Sequence, residues 1–166
     1  MNKITLFIAA AGLYVTTLAC ATGNGTKEGK VAETKAATEV SDENPGVIHL
    51  DKAKFIELVF DYVNNSEWKY AGDKPAIVDF YADWCGPCRM LSPVLAKVQN
   101  EYGGKIQVYK IDTEKEKELA AAFGIRSLPT VIFIPKDGKP QAIMGFRPKE
   151  EIETVIKEVL KVEKPQ

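Results

Sequence analysis

Cys85 and Cys88 stand two residues apart in Trp84-Cys85-Gly86-Pro87-Cys88. An apolar run, Ala76-Ile77-Val78-Asp79-Phe80-Tyr81-Ala82, leads into them, and a helical pattern follows. Thiols at the start of a helix meet unpaired N–H groups and the positive end of the helix dipole, which favour a thiolate. A thiolate is the form that attacks a disulfide. A second thiol one turn along can then close the mixed disulfide. The chemistry indicated is thiol–disulfide exchange. The competing reading is half of a zinc site, but a structural zinc needs about four ligands. This part of the chain offers two cysteines and the single histidine, His49, which lies far away in sequence and receives no catalytic role. One histidine also disfavours a Cys-His hydrolase.

Positioning two thiols this way takes a strand, a turn and a helix, and the chain has room for one such domain plus a tail. It is 166 residues long, with 22 basic and 23 acidic residues and a net charge of −1. No basic block or nucleic-acid motif is present, so no nucleic-acid partner is expected. Three cysteines are too few for a disulfide framework.

The first 20 residues read as an export signal: Asn2-Lys3, then Ile4 to Ala19 without a charge, then small residues. The stretch is short for a membrane span, which needs about 20 apolar residues. Two processing routes stay open. Ala19-Cys20-Ala21 fits an ordinary small-x-small cleavage site. Thr17-Leu18-Ala19-Cys20 resembles a bacterial lipobox that would lipidate Cys20 and attach the protein to a membrane, although Thr17 stands where an aliphatic residue is usual. The spare cysteine favours lipidation, because a free exposed thiol beside a redox pair is a liability. Residues 21–46 contain no aromatic, Leu or Ile. They bury too little to offset their ordering entropy and read as a flexible tether. The domain is expected over 47–166.

Within it, Val47-Ile48-His49-Leu50 reads as a short strand, and Asp51 caps a helix with Phe55, Leu58, Val59 and Tyr62 on one face. A polar loop follows, carrying Trp68 and Tyr70, read as packing residues. The run 76–82 is apolar on both faces except at Asp79, as a central, doubly covered strand should be. Met90, Leu91, Val94, Leu95 and Val98 mark one face of the next helix, which Pro93 should kink. Ile106 to Ile111 reads as a strand, and Glu114 to Phe123 as a short helix ended by Gly124. Val131 to Ile134 and Ala142 to Met144 flank the turn signal Asp137-Gly138. Pro148 starts a last helix with Ile152, Val155, Ile156, Val159 and Leu160 inward. The pattern argues an α/β fold, a mixed central sheet with helices on both faces.

Over residues 47–162 the chain resembles the thioredoxin family. The resemblance rests on Val78-Asp79-Phe80, Trp84-Cys85-Gly86-Pro87-Cys88, Pro93, Lys110-Ile111-Asp112, Gly124-Ile125-Arg126-Ser127-Leu128-Pro129-Thr130 and Gly145, in this order. It implies Cys85 as the exposed attacking thiolate and Cys88 as the less exposed resolving thiol. It implies Asp79 as a buried acid, Lys110 as its charged neighbour, and a cis peptide before Pro129. Trp84, Gly86, Pro87, Leu128, Gly145 and Phe146 would form a shallow apolar docking surface, with the Pro129 loop offering backbone to an extended substrate segment. Tyr81 departs from the family's frequent tryptophan. The stretch Val63 to Asp73 is longer than in compact relatives and should lie away from the cysteines.

The expected reaction is reduction of disulfides in exported proteins. Desolvation should raise the Asp79 pKa toward working pH, letting it take the Cys88 proton through a water, while Lys110 opposes that rise. Gly86-Pro87 resembles the reducing members; a histidine before the second cysteine, frequent in oxidases and isomerases, is absent. The rivals are an envelope disulfide oxidase or isomerase, since oxidised substrates abound outside the cytosol, and a non-catalytic binding module. No cofactor beyond the Cys85–Cys88 disulfide is expected. An external electron donor is required, and the chain, lacking heptads or a long apolar stripe, is expected to be a monomer.

Overall fold

The computed structural model describes residues 46–166; the expected export signal, Cys20 and nearly all of the expected tether lie outside them. The elements are β1 (Ile48–His49), α1 (Lys52–Leu58), β2 (Ala76–Tyr81), α2 (Gly86–Glu101), β3 (Gln107–Asp112), α3 (Lys117–Ala122), β4 (Thr130–Ile134), β5 (Gln141–Met144) and α4 (Lys149–Val155). They build a mixed five-stranded sheet in the order β1-β3-β2-β4-β5. β1, β3 and β2 run parallel; β4 is antiparallel to β2, and β5 to β4.

β2 lies in the middle, and its alternation feeds two cores. Ile77 packs with Leu91, Leu95, Val98, Val131, Phe133, Ile152 and Ile156 on the face covered by α2 and α4. Ala76, Val78 and Phe80 pack with Phe55, Val59, Phe60, Ile111 and Leu119 on the face of α1 and α3. A strand buried on both sides cannot show polar alternation, which is why 76–82 is almost wholly apolar. Asp79 faces the α2 side, in phase with Ile77.

Asp51 caps α1 as expected, its carboxylate accepting from the Lys54 N–H at 2.8 Å. The helix ends sooner than its apolar spacing suggests. The Asp61 side chain accepts from the N–H groups of Val63 and Asn64, an alternative to the helical bonds. Tyr62 therefore sits beyond the helix, yet still meets Phe123 edge-on at 5.5 Å. Trp68 packs on Phe60 at 4.8 Å, and the Tyr70 hydroxyl donates to the Lys74 carbonyl at 2.8 Å, in keeping with packing roles. The long stretch from Val63 to Asp73 enters β2 at Ala76, whereas the cysteines follow its other end. Six residues of strand separate the two by about 20 Å.

α2 runs unbroken through Pro93, whose missing N–H deprives the Arg89 carbonyl of a bond on the exposed side. Leu91, Leu95 and Val98 are buried, but Met90 is 55% exposed and does not share their face. Leu95 and Val98 are four and seven residues beyond Leu91, whereas Met90 is turned about 100° away. Buried Gln99 accepts from the Val108 N–H, just where the two-residue β1 stops pairing with β3. α4 passes directly into a π-helical turn, Ile156–Leu160, that ends at Lys161 with φ 59°. The apolar spacing predicts one regular helix there; the wider turn keeps Ile156 and Leu160 buried.

Candidate active site

Cys85 is the N-cap of α2, with Gly86 and Pro87 as the first two helical residues. Pro87 has no N–H to orphan, so the first turn directs its remaining donors at the cap. The Cys88 N–H points at Cys85 Sγ, 3.2 Å away, and the Arg89 N–H donates to the Cys85 carbonyl at 3.2 Å. Once the sulfur is reduced, the same donor and the helix dipole favour its thiolate. The two cysteines form a disulfide with an S–S distance of 2.07 Å.

Cys85 is only 4% exposed and Cys88 1%. Cys85 is the more exposed of the two, but in the disulfide it is not the exposed residue that the resemblance implied. In the disulfide Cys85 and Cys88 cluster with Ala82, and Tyr81 and Leu128 pack against that cluster.

Asp79, six residues before Cys85, is completely buried, and neither carboxylate oxygen has a hydrogen-bond partner. Lys110 lies opposite it in the β2–β3 register, with Nζ 3.8 Å from Oδ2. Burial raises the Asp79 pKa from 3.8 to about 6, and the Lys110 charge only partly offsets that rise. The Lys110 side chain is 13% exposed, so it is no ordinary surface lysine. Its ammonium sits 4.2 Å above the Tyr81 ring and donates to Ser92 Oγ.

The Leu128–Pro129 peptide is cis, and Pro129 is buried. The Gly145 N–H donates to the Pro129 carbonyl at 2.8 Å, with Gly145 at φ 83°, where a side chain would be strained. Trp84 is 67% exposed. It shares a shallow depression of about 270 Å³ with Thr113, Ala120, Ile125, Arg126, Ser127 and Leu128. Of the anticipated docking set, Trp84 and Leu128 line this depression. Gly86, Pro87, Pro129 and Gly145 do not, although Gly145 is tied to the Pro129 loop. Phe146 does not line the depression either: it is half-buried and, with Ile143 of β5, packs against the α2/α4 core. Thr113 and Ala120 were not singled out in the sequence. Ile125, Arg126 and Ser127 were part of the quoted motif, but nothing in their types showed that they border a cleft.

A family model, Thioredoxin, matches residues 47–158. The chain belongs to the thioredoxin family. It is 50% identical over 111 residues to a thioredoxin of Borreliella burgdorferi, covering 67% of this chain and 95% of that protein. It is 41% identical over 90 residues to a chloroplastic M-type thioredoxin of Pisum sativum, covering 52% of each. Among solved structures it resembles chloroplastic thioredoxin z, with a TM-score of 0.57, 30% identity, and coverage of 68% of this chain and 92% of that one. Thioredoxins are oxidoreductases acting by dithiol–disulfide exchange, and this chain carries the redox-active pair as a disulfide. The family needs no cofactor beyond that disulfide. Among the described residues no group of three or more His, Cys, Asp or Glu could hold a metal.

Proposed function

We propose that this chain is an exported protein-disulfide reductase, and that Asp79 manages the proton of its resolving cysteine. The Cys85 thiolate attacks one sulfur of a substrate disulfide; the substrate's other sulfur leaves as a thiolate and takes up a proton. Cys88 gives its proton to the Asp79 carboxylate through a water, and its thiolate attacks Cys85 Sγ. The mixed disulfide breaks, the second substrate thiol is released, and Cys85–Cys88 is left oxidised. Two electrons pass to the substrate, and an external dithiol donor returns them. The observation that carries this reading is the disulfide at the α2 N-terminus in the same fold as a buried carboxyl that receives no hydrogen bond and has its pKa at about 6. A base tuned near working pH is suited to proton transfer.

Trp84 and Leu128, beside the thiols, supply the docking surface for protein substrates. Export is supported by Lys3, the uncharged run 4–19 and the small residues after it. The family match begins only at residue 47, which leaves room for a signal and a tether on a monomeric domain. We take Cys20 as the lipidation site; its mass in protein extracted from membranes checks this, and an unmodified or missing Cys20 contradicts it. The catalytic reading is tested with Cys88→Ser. That variant should accumulate mixed disulfides with exported proteins, and the added Cys85→Ser change should abolish them. Full biological activity of the doubly substituted chain would instead make it a binding module.

A further inference from the structure

Asp79, Lys110 and His49 lie side by side across β2, β3 and β1, on the face covered by α2. The Lys110 ammonium has three donors, yet gives none of them to the carboxylate. Its Nζ donates to Ser92 Oγ and stays 3.8 Å from Asp79 Oδ2, close enough to pair charge and too far for a hydrogen bond. Ser92 lies on α2, one turn beyond Cys88, and its hydroxyl donates to the Cys88 carbonyl at 3.1 Å. The hydroxyl thus uses its one proton on the helix and an oxygen lone pair on the ammonium. Asp79 is left with no donor at either oxygen.

We propose that Ser92 is a positioning residue for the exchange reaction: anchored to the Cys88 backbone, its hydroxyl holds the Lys110 ammonium short of Asp79 and keeps that carboxyl a ready acceptor for the Cys88 proton. This rests on Asp79 being the proton acceptor. The other groups around the pair do not substitute for Ser92. β4 places Val131 opposite Asp79, and α4 and the π-helical turn after it bring Ile152 and Ile156 inward. Arg89 of α2 is bound to the Asp83 carbonyl at 2.9 Å. His49 of β1 meets the Tyr81 hydroxyl at 3.3 Å, and the Tyr81 ring lies under Lys110. Without the hydroxyl, the carboxylate 3.8 Å away is the acceptor to which charge draws the Lys110 ammonium. Closing from 3.8 Å to about 2.8 Å, at an effective dielectric constant of about 20, moves the carboxyl's titration down by about one pH unit.

The test is the pH profile of mixed-disulfide resolution, followed as release of the second thiol from a fluorescent peptide disulfide. Wild type, Ser92→Ala, Ser92→Thr and Asp79→Asn are compared, with folding checked by circular dichroism. Asp79→Asn should lose the acid limb. Ser92→Ala should move that limb about one unit lower and depress the plateau, because a weaker base accepts the proton less readily. Ser92→Thr, which keeps the hydroxyl, should restore the wild-type limb. If the limb survives in Asp79→Asn, the reading of Asp79 falls and takes this proposal with it. If Asp79→Asn removes the limb but Ser92→Ala leaves it in place or moves it to higher pH, the role of Ser92 alone is refuted. A merely structural serine would lower stability or rate without moving the limb.

Discussion

Asp79→Asn should make the oxidised protein more stable at neutral pH. The side chain is fully buried and receives no hydrogen bond, so its charge is not compensated as buried charges usually are. Its pKa rises from 3.8 to about 6, with Lys110 at 3.8 Å offsetting only part of the burial penalty. The folded state therefore binds a proton more tightly than the unfolded state. Stability is fully present below about pH 4 and is lost as pH rises through about 6. The displacement corresponds to about 3 kcal/mol at pH 7. Asn keeps the shape and removes the titration. Urea unfolding of the oxidised protein at pH 4, 5, 6, 7 and 8 checks this. The wild type should lose stability across that range, and the variant should stay nearly level, ahead by about 2–3 kcal/mol at pH 7. A variant less stable than wild type at pH 7 would mean that the Lys110–Asp79 attraction outweighs desolvation, and would refute the reasoning.

Two further outcomes are expected. Trp84→Ala should raise KM for a protein disulfide by about tenfold and leave reduction of a small disulfide nearly unchanged, since an exposed aromatic at a docking surface contributes binding, not chemistry; parallel kinetics on the two substrates check it. Glu101 accepts from Lys149 and Lys164, and these hydrogen bonds bring its pKa down from 4.5 to about 2. Its contribution to stability is present above pH 4.5 and is lost as pH falls toward 2, so Glu101→Gln should lower Tm at pH 7 with the gap narrowing in acid.

The site's reacting atoms were legible in the sequence because their chemistry requires local order. Cys85 and Cys88 sit at a strand-to-helix junction that can be read residue by residue, and Asp79 stands out as the acid in an apolar run. The mixed sheet followed from the doubly apolar β2 and from the hairpin around Asp137-Gly138. What escaped depends on contacts between distant segments. Ser92 looks like a neutral helix residue until β3 brings Lys110 against it. Gln99 looks like a surface polar group until the short β1 leaves Val108 without a partner. Phe146 follows Gly145 in the motif, but which way it turns is decided by the core beneath β5 and α4. The apolar cluster around the cysteines takes in Leu128, forty-three residues beyond Cys85 in the chain. The π-helical turn after α4 leaves the spacing of buried residues almost unchanged, so periodicity does not register it.

The reduction potential of the Cys85–Cys88 pair, read by alkylation and mass shift in defined redox buffers, tests the proposed direction of electron flow most directly. A reductase built on Gly86-Pro87 should give a value close to that characteristic of thioredoxin, about −270 mV. A value near −120 mV, that of a strong disulfide oxidant, would contradict it and make this chain an envelope oxidase.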